Sequence, residues 1–189
     1  MAIAATSGAV LVWSVLAGLE SYERVLPDQP IAGLFFQKTG TQSFRATLTR
    51  LPAGRVQVFE LNGDQWRLEA RTLDWQGLAA HLGLSRMFRL ERLSTRASRP
   101  LSGPPVAVSS YGLGSHAGND LWARARTRPG WMRHVHGGHA DGPWQPLVDG
   151  ALFSVWLDGT ALRVDPANKA AGAVSKPSSG NRAERPGFR

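Results

Sequence analysis

The stretch HVHGGHADG, residues 134–142, gathers His134, His136 and His139, three of the chain's five histidines, beside Asp141. Imidazole and carboxylate are ligand types that zinc and its neighbours accept, so a mononuclear metal centre is the first chemistry to test. The chain has no cysteine, which excludes thiolate catalysis, disulfides and cysteine-based zinc or iron–sulfur sites. If the run is a strand, His134 and His136 share a face, with His139 or Asp141 arriving from a turn that Gly137, Gly138 and Gly142 let wrap. Metal ligands must be held in orientation by their neighbours, and a Gly-Gly loop is a poor frame for that. The spacing therefore favours an exposed polar hairpin, with no metal and no other cofactor.

Two further groupings fail on chemistry. Ser109, Ser110 and Ser115 lie near His116 and Asp120, but no Gly-x-Ser-x-Gly elbow exposes a serine nucleophile. GLGSHAG, residues 112–118, lacks the lysine of a phosphate loop. No enzyme is expected. The seven tryptophans suit core packing, with Trp131 and Trp144, in turn-rich text, placed to flank a groove or a membrane surface.

Charge gives the remaining signal. Of the net +8, the segment from Pro166 onward holds +4, from Lys169, Lys176, Arg182, Arg185 and Arg189 against Glu184. Its Ala, Gly, Pro and Ser content predicts a disordered basic tail, 166–189. Arg67 and Arg71 fall on one expected strand, and Arg89, Arg92 and Arg96 on or just beyond another, with Glu69 and Glu91 between them. That interleaving predicts cross-strand ion pairs on a solvated face. Contact with an anionic surface is assigned to Arg67, Arg71, Arg89 and Arg92, with Lys176, Arg182 and Arg185 of the tail.

The elements that carry these residues follow from periodicity. Residues 2–19 hold no charge and, as a helix rising about 1.5 Å per residue, would reach roughly 27 Å, marginally enough to cross a bilayer. An anchor over 1–25 is expected, with no basic flank to orient it. After LPDQP, short alternating runs predict strands at IAGLFFQK, SFRATLTR, VQVFELNG and QWRLEARTL, joined by hairpin turns at TGTQ, LPAGR and Asn62-Gly63. QGLAAHLGL predicts a short helix, MFRLERLSTR a strand, PLSGPPVAVSSYGLGSHAG a long loop, and NDLWARART a helix capped by Asn119. ALFSVWLDGTALRVD predicts a closing hairpin at Asp158-Gly159. The expected class is β-rich α+β: an anchor helix, an antiparallel meander with two short helices and a C-terminal hairpin, the domain spanning 26–165.

GDQWRLEARTLDWQGLAAHLGLSRMFRLERLS at 63–94, DLWARARTRPGW at 120–131 and DGALFSVWLDGTALRV at 149–164 resemble a family of small proteobacterial inner-membrane proteins, often labelled cation or multidrug efflux pumps. The resemblance covers most of residues 26–166. It implies an inner-membrane protein with its domain on the periplasmic side, and the family's pattern has Trp, Asp and Tyr where these histidines stand. Family members carry two hydrophobic segments joined by a short basic loop, so the single segment here fits a lost or truncated upstream segment, with the status of Met1 as the native start left open. A transporter needs a bundle of spanning helices around a midplane site, which one segment cannot build.

HVHGGHADG is also similar to the His-x-His-x-Asp-His ligand run of the metallo-β-lactamase superfamily, with His134, His136 and His139 in the histidine places. Gly138 stands where that run has Asp, and no histidine follows residue 139. The function expected is therefore a membrane-anchored extracytoplasmic accessory or binding domain. Its partners are the bilayer, through residues 2–19, and a second membrane protein, with no nucleic acid. The alternative is a small metal-dependent hydrolase using His134, His136 and His139.

Overall fold

The computed structural model describes Leu19 and residues 22–77, 86–98, 107–114, 122, 123, 127 and 135–174. Strict alternation forms the strands: in Ala32–Lys38 (β2) and Ser43–Arg50 (β3), Ala32, Leu34, Phe36, Phe44, Ala46 and Leu48 are buried and the residues between them point outward. The other strands are Glu23–Arg24 (β1), Val56–Asn62 (β4), Gln65–Trp75 (β5), Met87–Arg96 (β6), Ala107–Gly112 (β7), Val135–Asp141 (β8), Gln145–Pro146 (β9), Leu152–Asp158 (β10) and Ala161–Pro166 (β11). Among the described residues they make two antiparallel sheets. The five-stranded sheet runs β11-β10-β2-β3-β4, and the six-stranded sheet runs β1-β6-β5-β8, with β7 also on β6 and β9 also on β5.

The inner faces of the two sheets share one core. Trp66 of β5 is fully buried at its centre, 5.2 Å from the Phe36 ring and 5.4 Å from the Phe153 ring. Burying such side chains contributes about 1.5–3 kcal/mol each, so this trio is a principal tie between the sheets. The outer edge of β4 is closed by side chains from the other sheet: Thr95 donates to the Asn62 carbonyl (2.7 Å), Tyr111 to the Glu60 carbonyl (2.6 Å), and the Asn62 amide donates to Ser109 Oγ (3.2 Å). An edge strand treated this way is a poor template for aggregation at that end.

The β-rich antiparallel class agrees with the sequence, as do the turns at 39–42, 51–55 and Asp158-Gly159. Asn62-Gly63 does not make the expected hairpin, because β4 and β5 belong to different sheets. The Gly63 amide still bonds Gln42 of one sheet while the Asp64 amide already bonds Arg96 of the other. A Cβ on Gly63 would lie 2.8 Å from the Arg96 carbonyl, so glycine is needed for close passage at the crossover. The expected loop over 100–118 contains β7, whose Ser and Tyr hydroxyls serve the β4 seam just described.

The segment expected to be a disordered tail from 166 begins with a short helix, Lys169–Gly172, that buries Ala171. Asn168 caps it, accepting from the Ala171 and Leu152 amides and donating to the Gly150 carbonyl, which pins the helix to the start of β10. At the other end β1 pairs with β6, so elements of the fold lie on both sides of the 26–165 span. Gln76 and Gly77 are not helical, while Trp122 and Ala123 are; the rest of both expected helices lies outside the described residues, apart from Thr127, also helical. Among the described residues no helix is long and apolar enough to cross a membrane; residues 2–18 of the expected anchor lie outside them.

Candidate functional site

On β5 the outward positions are Gln65, Arg67, Glu69, Arg71, Leu73 and Trp75, opposite the buried run Trp66, Leu68, Ala70. On β6 the register shifts: Leu90 faces Ala70 and Arg92 faces Glu69, leaving Glu91 as the extra residue of a bulge. Both Glu91 and Arg92 then serve the outer face. Arg89, Arg92 and Arg96 come to lie beside Arg67 and Arg71, and β8 adds His139 opposite Arg71 and Asp141 opposite Glu69. All four strand arginines assigned to anion contact are thus on one face, joined by Arg96. With Asp141 counted, five arginines face three carboxylates, a net of +2.

Aromatic rings hold these cations. The Arg67 and Arg96 guanidinium carbons lie 5.0 and 4.3 Å from the centre of the Trp144 ring, Arg71 lies 4.4 Å from Trp122, and Arg89 lies 5.0 Å from Tyr22. Such contacts contribute about 0.5–2 kcal/mol and fix where the charge sits. The glutamates are threaded between the cations. Glu69 pairs with Arg67 and lies 4.0 Å from Arg92, and Glu91 pairs with Arg71 and lies 3.9 Å from His139 Nε2. The cross-strand pairing read from the sequence is present in Arg71–Glu91 and Arg92–Glu69, whereas Arg67–Glu69 is a contact along β5.

Trp122 explains the Gly-Gly step. Its indole N–H donates to the Gly138 carbonyl at 2.9 Å and its ring meets His139 edge-on at 4.4 Å. A Cβ on Gly137 would lie 3.0 Å from that ring, and one on Gly138 would lie 2.7 Å from Thr72 Oγ1. The two glycines are therefore there for close approach along a regular strand and do not form a wrapping loop. Strand parity also separates the histidines: His139 is on the outer face, whereas His136 lies opposite Asp74 on the other. Asp141 is on the His139 side, and His134 lies outside the described residues. Among the described residues, no group of three or more His, Asp or Glu side chains is arranged to hold a metal.

Beyond the arginines, on the same face, Tyr22, Leu73, Met87, Trp122 and Val135 form a second apolar cluster against which Leu19 and Trp75 pack. The last described residue of the apolar N-terminal segment thus joins the face that carries the arginines.

A different polar group closes the end of the sandwich. Glu23 and Arg50 reach inward from opposite sheets, and Arg50 donates to the Leu113 carbonyl (2.6 Å) and Gln57 Oε1 (2.9 Å). Burial pushes the Glu23 carboxyl up, against the opposing pull of Arg50 and Arg55, and burial pulls the Arg50 guanidinium down.

Lys176, Arg182 and Arg185 lie outside the described residues. Sequence reasoning misses Arg96, Trp122 and Tyr22 on this face and marks Trp144 only as a groove or membrane residue; Tyr22, Trp122 and Trp144 each meet their arginines from outside the strands that carry them, at no fixed sequence spacing. No family model, curated protein or solved structure matches this chain.

Proposed function

We propose that the chain is the binding domain of a membrane-anchored accessory protein, held by residues 2–19 on the periplasmic side of a bacterial inner membrane. It is neither a transporter nor an enzyme, and it works through the arginine–aromatic face of the six-stranded sheet on an anionic surface. The observation that carries this reading is the convergence of Arg67, Arg71, Arg89, Arg92 and Arg96 on one face, four of them positioned by aromatic rings. Support for the location comes from the uncharged N-terminal run, from Leu19 packing at the edge of this face, and from the family resemblance.

The test is titration of the full chain in neutral detergent with soluble short-chain lipids, dihexanoylphosphatidylglycerol against dihexanoylphosphatidylcholine, read by indole fluorescence. The anionic lipid is expected to bind, and roughly 0.3 M salt to weaken it strongly, because screening then acts within a few ångströms. Equal response to both lipids would end this reading. A chain found wholly in the soluble fraction would end the anchor.

A further inference from the structure

The arginine face carries two built anion subsites, and in the free protein each is filled by one of its own carboxylates. We infer that Glu69, between Arg67 and Arg92, and Glu91, between Arg71 and His139, stand where the phosphates of anionic lipid headgroups bind, and that binding proceeds by displacing them. This rests on the reading of the face given above and adds its ligand chemistry and its internal competitor.

Both carboxylates are largely covered, with side chains 17% and 22% exposed; Glu69 has an arginine on two sides, and Glu91 has Arg71 on one side and the His139 ring on the other. Each carboxylate meets a terminal guanidinium nitrogen, Glu69 at Arg67 Nη2 and Glu91 at Arg71 Nη2, a charged donor from which a phosphate oxygen would equally accept. The cations have a support besides the glutamates. Arg67 is stacked on Trp144 and Arg71 on Trp122, and Trp122 is itself fixed by its bond to Gly138. When a glutamate swings away, the guanidinium remains presented. Arg92, 53% exposed and 4.0 Å from Glu69, is the open side from which a headgroup would enter the first subsite. His139, 45% exposed and 3.9 Å from Glu91, is the open side of the second. A lipid source is favoured over free phosphate because Leu19, from the uncharged N-terminal run, packs against the apolar cluster of Tyr22, Leu73, Met87, Trp122 and Val135 on this face.

The experiment compares Glu69→Gln, Glu91→Gln, Glu69→Asp and the control Glu60→Gln in the full chain, titrated with dihexanoylphosphatidylglycerol. Glu60 pairs with Arg45 on the other sheet, so its loss changes net charge equally without touching the face. Glu69→Gln and Glu91→Gln are each expected to tighten binding about fivefold, the effect of one surface charge beside an anionic lipid. Glu60→Gln should change it less than twofold. Glu69→Asp keeps the charge but withdraws the carboxylate by one methylene, and is expected to tighten binding between these limits while leaving the fold intact. Equal tightening by all three Gln variants would reduce the effect to net charge and overturn the inference. So would unchanged or weaker binding in folded Glu69→Asp. Displacement of the lipid by inorganic phosphate at equal concentration would overturn the headgroup assignment. Absence of lipid binding in wild type and every variant would instead overturn the face as a binding surface, and the displacement idea with it.

Discussion

On the outer face of the six-stranded sheet, Gly137 lies under Trp122 with room for nothing larger, and arginines from two strands, β5 and β6, sit over aromatic rings. On the outer face of the five-stranded sheet, Gly33 has nothing within 4 Å of where a Cβ would be, and Val56 and Val58 are 59% and 56% exposed. The same alternation of inward and outward residues builds both. The difference is a second layer: residues 19, 22 and 122 fold over one sheet and turn its outer face into a packed, position-fixing surface, whereas the β4 end of the other sheet meets water. Charges in the packed layer are held in place by rings and carboxylates. Those outside it, such as Arg45 and Glu60, form an ordinary exposed pair.

The contrast is broken most directly at Trp122. Trp122→Ala should cost about 3 kcal/mol, in the range for a large aromatic removed from a packed site, while Val58→Ala should stay within about 0.5 kcal/mol; urea unfolding of both variants measures it. Similar losses at the two positions would mean the second layer has no special role. The glycines offer the next test. Gly137→Val should cost about 2 kcal/mol by forcing Trp122 off the strand, and Gly33→Val should be neutral or stabilising by about 0.5 kcal/mol, as an open strand position gains from losing glycine's chain entropy. For binding, replacing Arg67, Arg71, Arg89 and Arg92 together by Gln should weaken anionic-lipid affinity at least about tenfold, while Arg45→Gln on the other sheet changes it less than about twofold.

The smallest effect is expected at Glu23. Its carboxyl is pushed up in the fold by burial, so the unfolded chain ionises first and folding carries a cost that is absent in acid and appears as pH rises through the two values. Glu23→Gln should therefore raise the urea midpoint at neutral pH, and the two curves should converge below the ordinary carboxylate range. A variant less stable than wild type at neutral pH would show that Glu23 serves Arg50 more than it suffers from burial.

The strand alternation was legible because burial on one face imposes a two-residue period, and β3 and β6 run over the residues the pattern marks. The arginine face was legible in part for the same reason: parity alone puts Arg67 and Arg71 on one side of β5. The bulge at Glu91 was not, because one extra residue in β6 matters only when β6 lies against β5. Nor was the meaning of Gly137-Gly138. A pair of glycines reads as a flexible loop in isolation and as a close approach once Trp122 is known to cover Gly137 and Thr72 to lie beside Gly138 on the neighbouring strand.

From the sequence alone came the antiparallel β class, the absence of thiol chemistry, the excess of basic residues and the uncharged run before Glu20, all of them local or compositional properties. Tertiary structure decided that Asn62-Gly63 crosses between sheets, that His136 and His139 point to opposite faces, and that Trp122, Trp144 and Tyr22 meet the arginines. Those outcomes depend on which strands become neighbours. That choice is made by burying Trp66, Phe36 and Phe153 together across the two sheets, an interaction between distant positions that no local pattern encodes.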